Sequence, residues 1–304
     1  MAQINSMNME LGALKEDKAA REKLEEEIMG VFRDMTNSFK PTDLTNYICV
    51  QVGDYLVNYV SKFPDPSART EELDQAVAYY DTVIERKRDL VQDAERGKAN
   101  ALAYSKDVAK QQEAAALYTK VAANPSPDVG GLALVGLTKL HLRTGNAKAA
   151  IETTTKYLRN RQNQRDRLDM MLMQGEAYDK ANDPKNALLA YMNLFNQYKG
   201  KVQYSAKACL AIMEIFWKRN NPPQGDRLKK GFQNSDRWTA WNTGLLYENL
   251  IRRSGVEAKL TPEERDEFNK VVTAVYNYGK DPAVMKEDKE NKEFKRAVQS
   301  SKKK

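Results

Sequence analysis

The chain has 304 residues, of which 41% are hydrophobic and 30% charged, with a net charge of +7, two cysteines and one histidine. No apolar run approaches the roughly 20 residues needed to cross a bilayer, and the mean hydropathy of −0.72 implies much polar surface. One histidine and two distant cysteines exclude the common zinc constellations and leave little for a thiolate–histidine pair.

The basic charge is local. Segments 156–167 and 280–304 each carry a net +4, more than the whole chain together, so the remainder is close to neutral. The opening Met1-Ala2-Gln3-Ile4-Asn5-Ser6 is polar and shows no signal-peptide core. A mature exported chain preceded by a start methionine has the same appearance.

In chain order, residues 10–39 predict a long charged amphipathic helix, with Leu24, Ile28, Val31 and Met35 at three- and four-residue steps. Pro41-Thr42-Asp43 ends it and starts a mostly apolar, tyrosine-rich helix over 44–63, which should be buried on more than one face. Thr70 opens the next, with Glu71 and Glu72 at its positive end. From 73 to 121 the only strong punctuation is Gly97, which predicts two or three long helices. Pro125-Ser126-Pro127-Asp128 closes this part.

Helical pairs follow: 128–143 with 147–160, 165–181 with 184–198, and 203–219 with a poorer segment over 224–232. Further helices are expected over 237–253, 262–278 and 283–299, and almost nothing reads as a strand. The domains expected are a helical N-terminal region over 1–125, a repeat core over 126–235, continuing or capping helices over 236–280, and a basic, partly disordered tail over 281–304.

The repeat rests on spacing. Leu140 and Ala149, Tyr178 and Ala187, and Phe216 and Gly225 each pair a large residue with a small one across a turn, at 38-residue steps. The turns are Thr144-Gly145-Asn146, Asn182-Asp183-Pro184 and Asn220-Asn221-Pro222-Pro223. A fixed period of this length marks a helical array, in which each pair buries its apolar stripe against the next. Gly225 in place of alanine predicts a distorted third pair.

Met171-x3-Gly175-x2-Tyr178-x8-Ala187-x3-Tyr191 resembles a tetratricopeptide (TPR) repeat. Leu137, Leu140, Gly145-Asn146 and Ala149 carry the same framework more weakly, as do Met213, Phe216 and Gly225. Ala114-x3-Tyr118-x6-Pro125 resembles the second half of another unit. The 38-residue period is about one helical turn longer than the usual 34. It resembles TPR proteins of bacterial envelope assembly, of the Tol-Pal and outer-membrane insertion kind, and with them an exported location. The resemblance implies an all-α, α-α superhelix with a helical N-terminal extension.

It also implies a groove lined by the first helix of each pair. By position the groove takes Leu134, Thr138 and His141, then Asp169, Leu172, Glu176 and Asp179, then Lys207, Leu210, Glu214, Trp217 and Lys218. The lysines and asparagines with which one branch of the family grips a peptide carboxylate are missing. A groove acidic at its middle with a leucine floor suits a basic or amphipathic peptide instead. The same charges also suit a merely solvated helix face.

Other features have plain readings beside functional ones. Trp217, Trp238 and Trp241 suit core packing, or an interface anchor where exposed. Arg159, Arg161, Arg165 and Arg167 form a basic patch in a polar turn without interleaved aromatics, so a solvated loop competes with phosphate contact. Lys302-Lys303-Lys304 is a charged end that could touch an anionic lipid or nucleic acid. His141, near a helix end, needs only the helix dipole as partner. Cys49 and Cys209 read as buried free thiols.

No phosphate-binding glycine loop, nucleophile elbow or metal motif is present. The function expected is that of a non-enzymatic scaffold or adaptor for a protein or peptide, with no cofactor or small-molecule substrate. Self-association through the N-terminal helices is the alternative, and binding of nucleic acid or an anionic surface through the basic segments a weaker one.

Overall fold

The computed structural model describes residues 43–301 except 228, 230 and 231, together with eleven positions between Met9 and Asp34. The 10–39 helix and the Lys302–Lys304 end expected from sequence therefore lie largely or wholly outside the described residues. The described residues are all-α apart from one isolated bridge, and the helices pack consecutively on their neighbours. The chain divides into two compact units, Met1–Leu140 and His141–Lys304.

In the first unit the helices are α1 (Asp43–Val60), α2 (Thr70–Arg86), α3 (Val91–Ala103), α4 (Val108–Val121) and the start of α5 (Leu132–Arg143). Three helices span 70–121, and Gly97 interrupts none of them. Lys87 and Leu90 provide the first break, both with positive φ, and Asp107 caps the second by accepting the Ala109 N–H at 2.8 Å. Gly97 lies mid-helix because the Tyr80 ring needs its space. A Cβ at Gly97 or at Gly53 would fall under 3.0 Å from that ring. The core of this unit includes Leu24, Ile28, Ile48, Cys49, Val52, Leu56 and Val60.

The second unit contains the end of α5, then α6 (Ala147–Arg159), α7 (Arg167–Lys180), α8 (Pro184–Gln197), α9 (Val202–Arg219), α10 (Asp236–Arg253), α11 (Pro262–Tyr278) and α12 (Pro282–Ser301). Its first two turns are built alike. Gly145 and Asn182 take the left-handed conformation, with φ of 76° and 57°. The next N–H reaches back five residues, Asn146 to the His141 carbonyl and Asp183 to that of Tyr178, at 2.8 and 2.9 Å. This is a Schellman closure. The same Asn146 and Asp183 then cap the following helix through Ala149 and Asn186. One residue thus closes a helix and opens the next.

The third turn starts the same way, with Asn220 at φ 52°, and then departs. Asn221 gives its N–H to Asp236 Oδ2 at 2.8 Å and accepts the Asp236 N–H at 3.0 Å. The helix expected over 224–232 is absent: Gln224 and Gln233 pair as an isolated antiparallel bridge, and no described residue between them is helical. Pro223 disfavours a helical Pro222. Gly225, at φ 81°, supplies a bend instead of a small packing residue. The packing partner of α9 is therefore α10.

Within this unit α7, α9 and α11 also touch one another in a row. Ala187, Tyr191, Leu194 and Ile212 form one core cluster, with Tyr178 against it, as the large–small pairing predicts. Residues 282–301 are helical rather than tail-like. Val284 and Glu287 are buried there, and Glu287 accepts both the backbone N–H and the hydroxyl of Ser235.

Candidate protein-binding face

Side chains on one face of α7 and on one face of α9 recur in register. Asp169, Leu172, Glu176, Asp179 and Lys180 on α7 correspond at 38 residues to Lys207, Leu210, Glu214, Trp217 and Lys218 on α9. Three- and four-residue steps keep each set on one helix face. The repeat is visible in the contacts: Glu176 pairs with Lys180 at 3.4 Å and Glu214 with Lys218 at 3.7 Å. Exposed pairs of this kind contribute only about 0.3–0.5 kcal/mol.

Other residues of the expected groove join neighbouring helices. Asp169 on α7 accepts from the Tyr204 hydroxyl of α9 at 3.2 Å. Lys207 stands 3.9 Å from Glu267 of α11. Trp217 stacks on Tyr278 of α11, centroids 3.9 Å apart and planes 12° apart, with the Arg237 guanidinium 5.2 Å from the Trp217 ring. Leu172 and Leu210 are half-buried against the two cores. The face is thus a continuous polar and aromatic surface over a leucine floor.

Tyr191 of α8 packs in the core against α7. Its ring reaches α7 because residue 175 is glycine, where a Cβ would sit 2.5 Å from the ring. The residue is 6% exposed, and its hydroxyl, which makes no hydrogen bond to a described residue, still reaches solvent. Burial, and then the charges of Asp179, Glu176 and Glu214, push the phenol well above its ordinary pKa. Burial and Glu214 act the same way on Tyr278. Glu214 therefore lies within electrostatic reach of both rings. The TPR-like framework contains both Gly175 and Tyr191, and the structure packs the ring against that glycine.

Several expected groove residues are placed elsewhere. Thr138 is fully buried, its hydroxyl donating to the Leu134 carbonyl at 2.8 Å, and Leu134 is buried too. Neither is available to a peptide. His141 is half-buried. Burial lowers its pKa, with Glu152 opposing, so it is neutral at pH 7 and is not the helix-end cation that its position suggests.

The basic patch also separates. Arg159, Arg161 and Arg165 are exposed, while Arg167 donates to the Leu158 carbonyl at 3.2 Å. Asn163, buried, donates to the Tyr157 carbonyl, and the Asp166 N–H donates to the Tyr157 hydroxyl, so this turn is folded around one ring. Trp238 and Trp241 pack edge to face at 6.4 Å. Cys49 and Cys209 are buried free thiols, and burial pushes Cys209 up to about 12.

A second feature arises where the expected helix over 224–232 is missing. A cavity of about 480 Å³ is lined by Asn220, Asn221, Ser235, Arg237, Lys286 and Glu287, with other residues of the same segments. Arg219 holds Asp236 beside it through two bonds of 2.5 and 2.7 Å. Among the described residues no group of His, Cys, Asp or Glu is arranged to hold a metal ion.

These features define an all-α protein of helical-repeat type with a polar and aromatic face on its alternate helices. No family model matches the chain, and no curated protein matches it.

Proposed function

We propose that this protein is a non-catalytic scaffold or adaptor of TPR type that binds a protein or peptide segment along α7, α9 and α11. The observation that carries this reading is the register. Equivalent side chains recur at 38 residues on adjacent helices, and they present carboxylates and aromatic rings over half-buried leucines on one face. An extended peptide meets such a surface with several side chains at once. The acidic middle favours a basic or amphipathic partner, and an exported, envelope-associated role accompanies the resemblance of the 38-residue units.

Photo-crosslinking tests this. A photoreactive residue at Lys207 or Lys218 should give a defined partner adduct, and one at Leu246, exposed on α10, should not. Equal labelling from both positions, or adducts that survive combined alanine substitution of Glu176, Asp179 and Glu214, would remove this assignment.

A further inference from the structure

We infer that the cavity left where the 224–232 helix is missing binds a free α-amino acid with an aliphatic side chain, its carboxylate met by Lys286 and its ammonium by Glu287. The inference does not draw on the peptide-binding reading of the α7–α9–α11 face.

The cavity lies wholly within the second unit, between the strap that follows α9, the start of α10 and the first half of α12. At about 480 Å³ it falls in the usual range of small-molecule sites, roughly 300–1,000 Å³. The left-handed Asn220 and the Pro222-Pro223 pair carry the strap off a helical course, and Asn221 ties it to Asp236. The space is therefore held open by fixed contacts at its rim.

The charges around the cavity are paired, with two exceptions. Arg237 binds Asp281 at 2.7 Å, Glu290 binds Arg227 at 3.1 Å, and Asp236, beside the cavity, binds Arg219 at 2.5 Å. Lys286 lines the cavity with no ion pair or hydrogen bond to a described residue. Glu287 is 7% exposed and is met only by neutral donors, the Ser235 N–H at 2.9 Å and the Ser235 hydroxyl at 2.5 Å. A carboxylate keeps lone pairs beyond those two bonds, and a buried charge without an opposite one is costly. The wall thus offers one unmatched cation and one unmatched anion. A ligand that meets both is a zwitterion.

The placing of the two charges selects the kind of zwitterion. Successive residues of a helix do not face each other, so Lys286 and Glu287 share the cavity wall without pairing. Their partners must also sit close together, as the ammonium and carboxylate do on a single α-carbon. Glu287 accepts hydrogen bonds, which a primary ammonium supplies and a quaternary one does not. Pro222, Pro223 and Ala283 give the remaining wall an apolar stretch that suits an aliphatic side chain.

Isothermal titration of the full chain tests this, with L-leucine, N-acetyl-L-leucine, L-leucinamide and glycyl-L-leucine as probes. L-Leucine should bind saturably at a single site. N-Acetyl-L-leucine lacks the ammonium, L-leucinamide lacks the carboxylate, and glycyl-L-leucine holds its two charges apart. Each should bind about tenfold more weakly than L-leucine. Lys286→Gln should abolish the preference over L-leucinamide and keep the preference over N-acetyl-L-leucine. Glu287→Gln, which keeps an acceptor for Ser235, should do the reverse. A loosened fold would weaken all four probes alike and could not produce this crossed pattern. Lys286 is exposed, so its substitution should leave the melting temperature unchanged.

No saturable binding of L-leucine, equal affinity for any of the three analogues, or selectivities that the two variants leave unchanged or change alike would each overturn the inference.

Discussion

Tyr80 in the first unit and Tyr191 in the second meet the same packing demand and end differently. Each is a large ring on one helix set into a neighbouring helix where glycine leaves room, Gly53 and Gly97 for Tyr80 and Gly175 for Tyr191. The Tyr80 ring is clasped from two sides, and its hydroxyl donates to Asp54 at 2.7 Å. The Tyr191 ring is held at one glycine, and its hydroxyl makes no bond to a described residue and reaches solvent. The first is a finished core contact. The second has the packing of a core residue with its polar end left to solvent. A buried aromatic therefore says little about role until the fate of its polar end is known.

Substitution at the glycines should separate the two most strongly. Gly97→Ala forces a methyl into a ring that cannot retreat, and overpacking of this kind costs about 3 kcal/mol, less about 1 regained from the helix preference of alanine. Gly175→Ala should cost about half as much, because Tyr191 has no bond to break as it shifts. Urea unfolding followed by circular dichroism measures both, and equal losses would erase the contrast.

Removing the hydroxyls comes next. Tyr80→Phe leaves the Asp54 carboxylate short of a partner and should cost about 2 kcal/mol. Tyr191→Phe should change stability by less than about 0.5 kcal/mol, since no bond is lost. A large loss from Tyr191→Phe would mean that the hydroxyl has a structural partner after all.

Two carboxylates extend the comparison to pH. Burial raises the pKa of Asp54, against the hydrogen bond from Tyr80 and the charge of Arg96. A raised folded-state value means the folded unit binds the proton more readily, so Asp54 favours folding as pH falls toward about 4. Asp236 is the opposite case. Burial raises it, but the Arg219 hydrogen bonds and the Asn221 N–H outweigh burial and hold it below the ordinary range. Its contribution is present above a pH of about 4 and is lost as pH falls through the depressed value. Unfolding midpoints between pH 7 and pH 3 should show Asp236→Asn removing part of the acid loss and Asp54→Asn removing part of the acid gain. A shared direction would contradict both assignments.

The smallest effect concerns the face itself. Glu176→Gln breaks only an exposed pair with Lys180 and should shift stability by less than about 0.5 kcal/mol. Peptide binding should fall all the same. A protein that unfolds more readily and binds unchanged would make Glu176 a structural residue.

Much of the fold was legible in the residues, because helix boundaries are set by local chemistry. Asn146, Asp183, Ser235 and Thr261 cap the helices that follow them, Thr261 in a full capping box with Glu264. The left-handed Gly145, Asn182 and Asn220 stand at the three expected turns. The 38-residue period survives as equivalent ion pairs at Glu176 and Glu214. The failure at 224–232 also has a local cause in Pro222-Pro223-x-Gly225, but what replaces the helix depends on Asp236, a residue brought there by packing.

The candidate site was legible only in part. The resemblance to TPR units supplied the expected face of Asp169, Leu172, Glu176 and Asp179, and that of Lys207, Leu210, Glu214 and Trp217, and helix periodicity keeps each set on one side. Neither could show that Thr138, at the equivalent position one period earlier, is buried, since burial depends on what lies across the face.

By itself the sequence determined an all-α chain, the position of most helices and turns, and a recurring set of side chains on alternate helices. Those follow from capping, proline and glycine geometry and helical periodicity, which act over a few residues. The tertiary structure alone decided which of those side chains remain accessible, which helix partners α9, and where the Tyr191 hydroxyl lies. These depend on groups far apart in the chain meeting in space, where a missing Cβ at Gly175 lets the Tyr191 ring pack against α7.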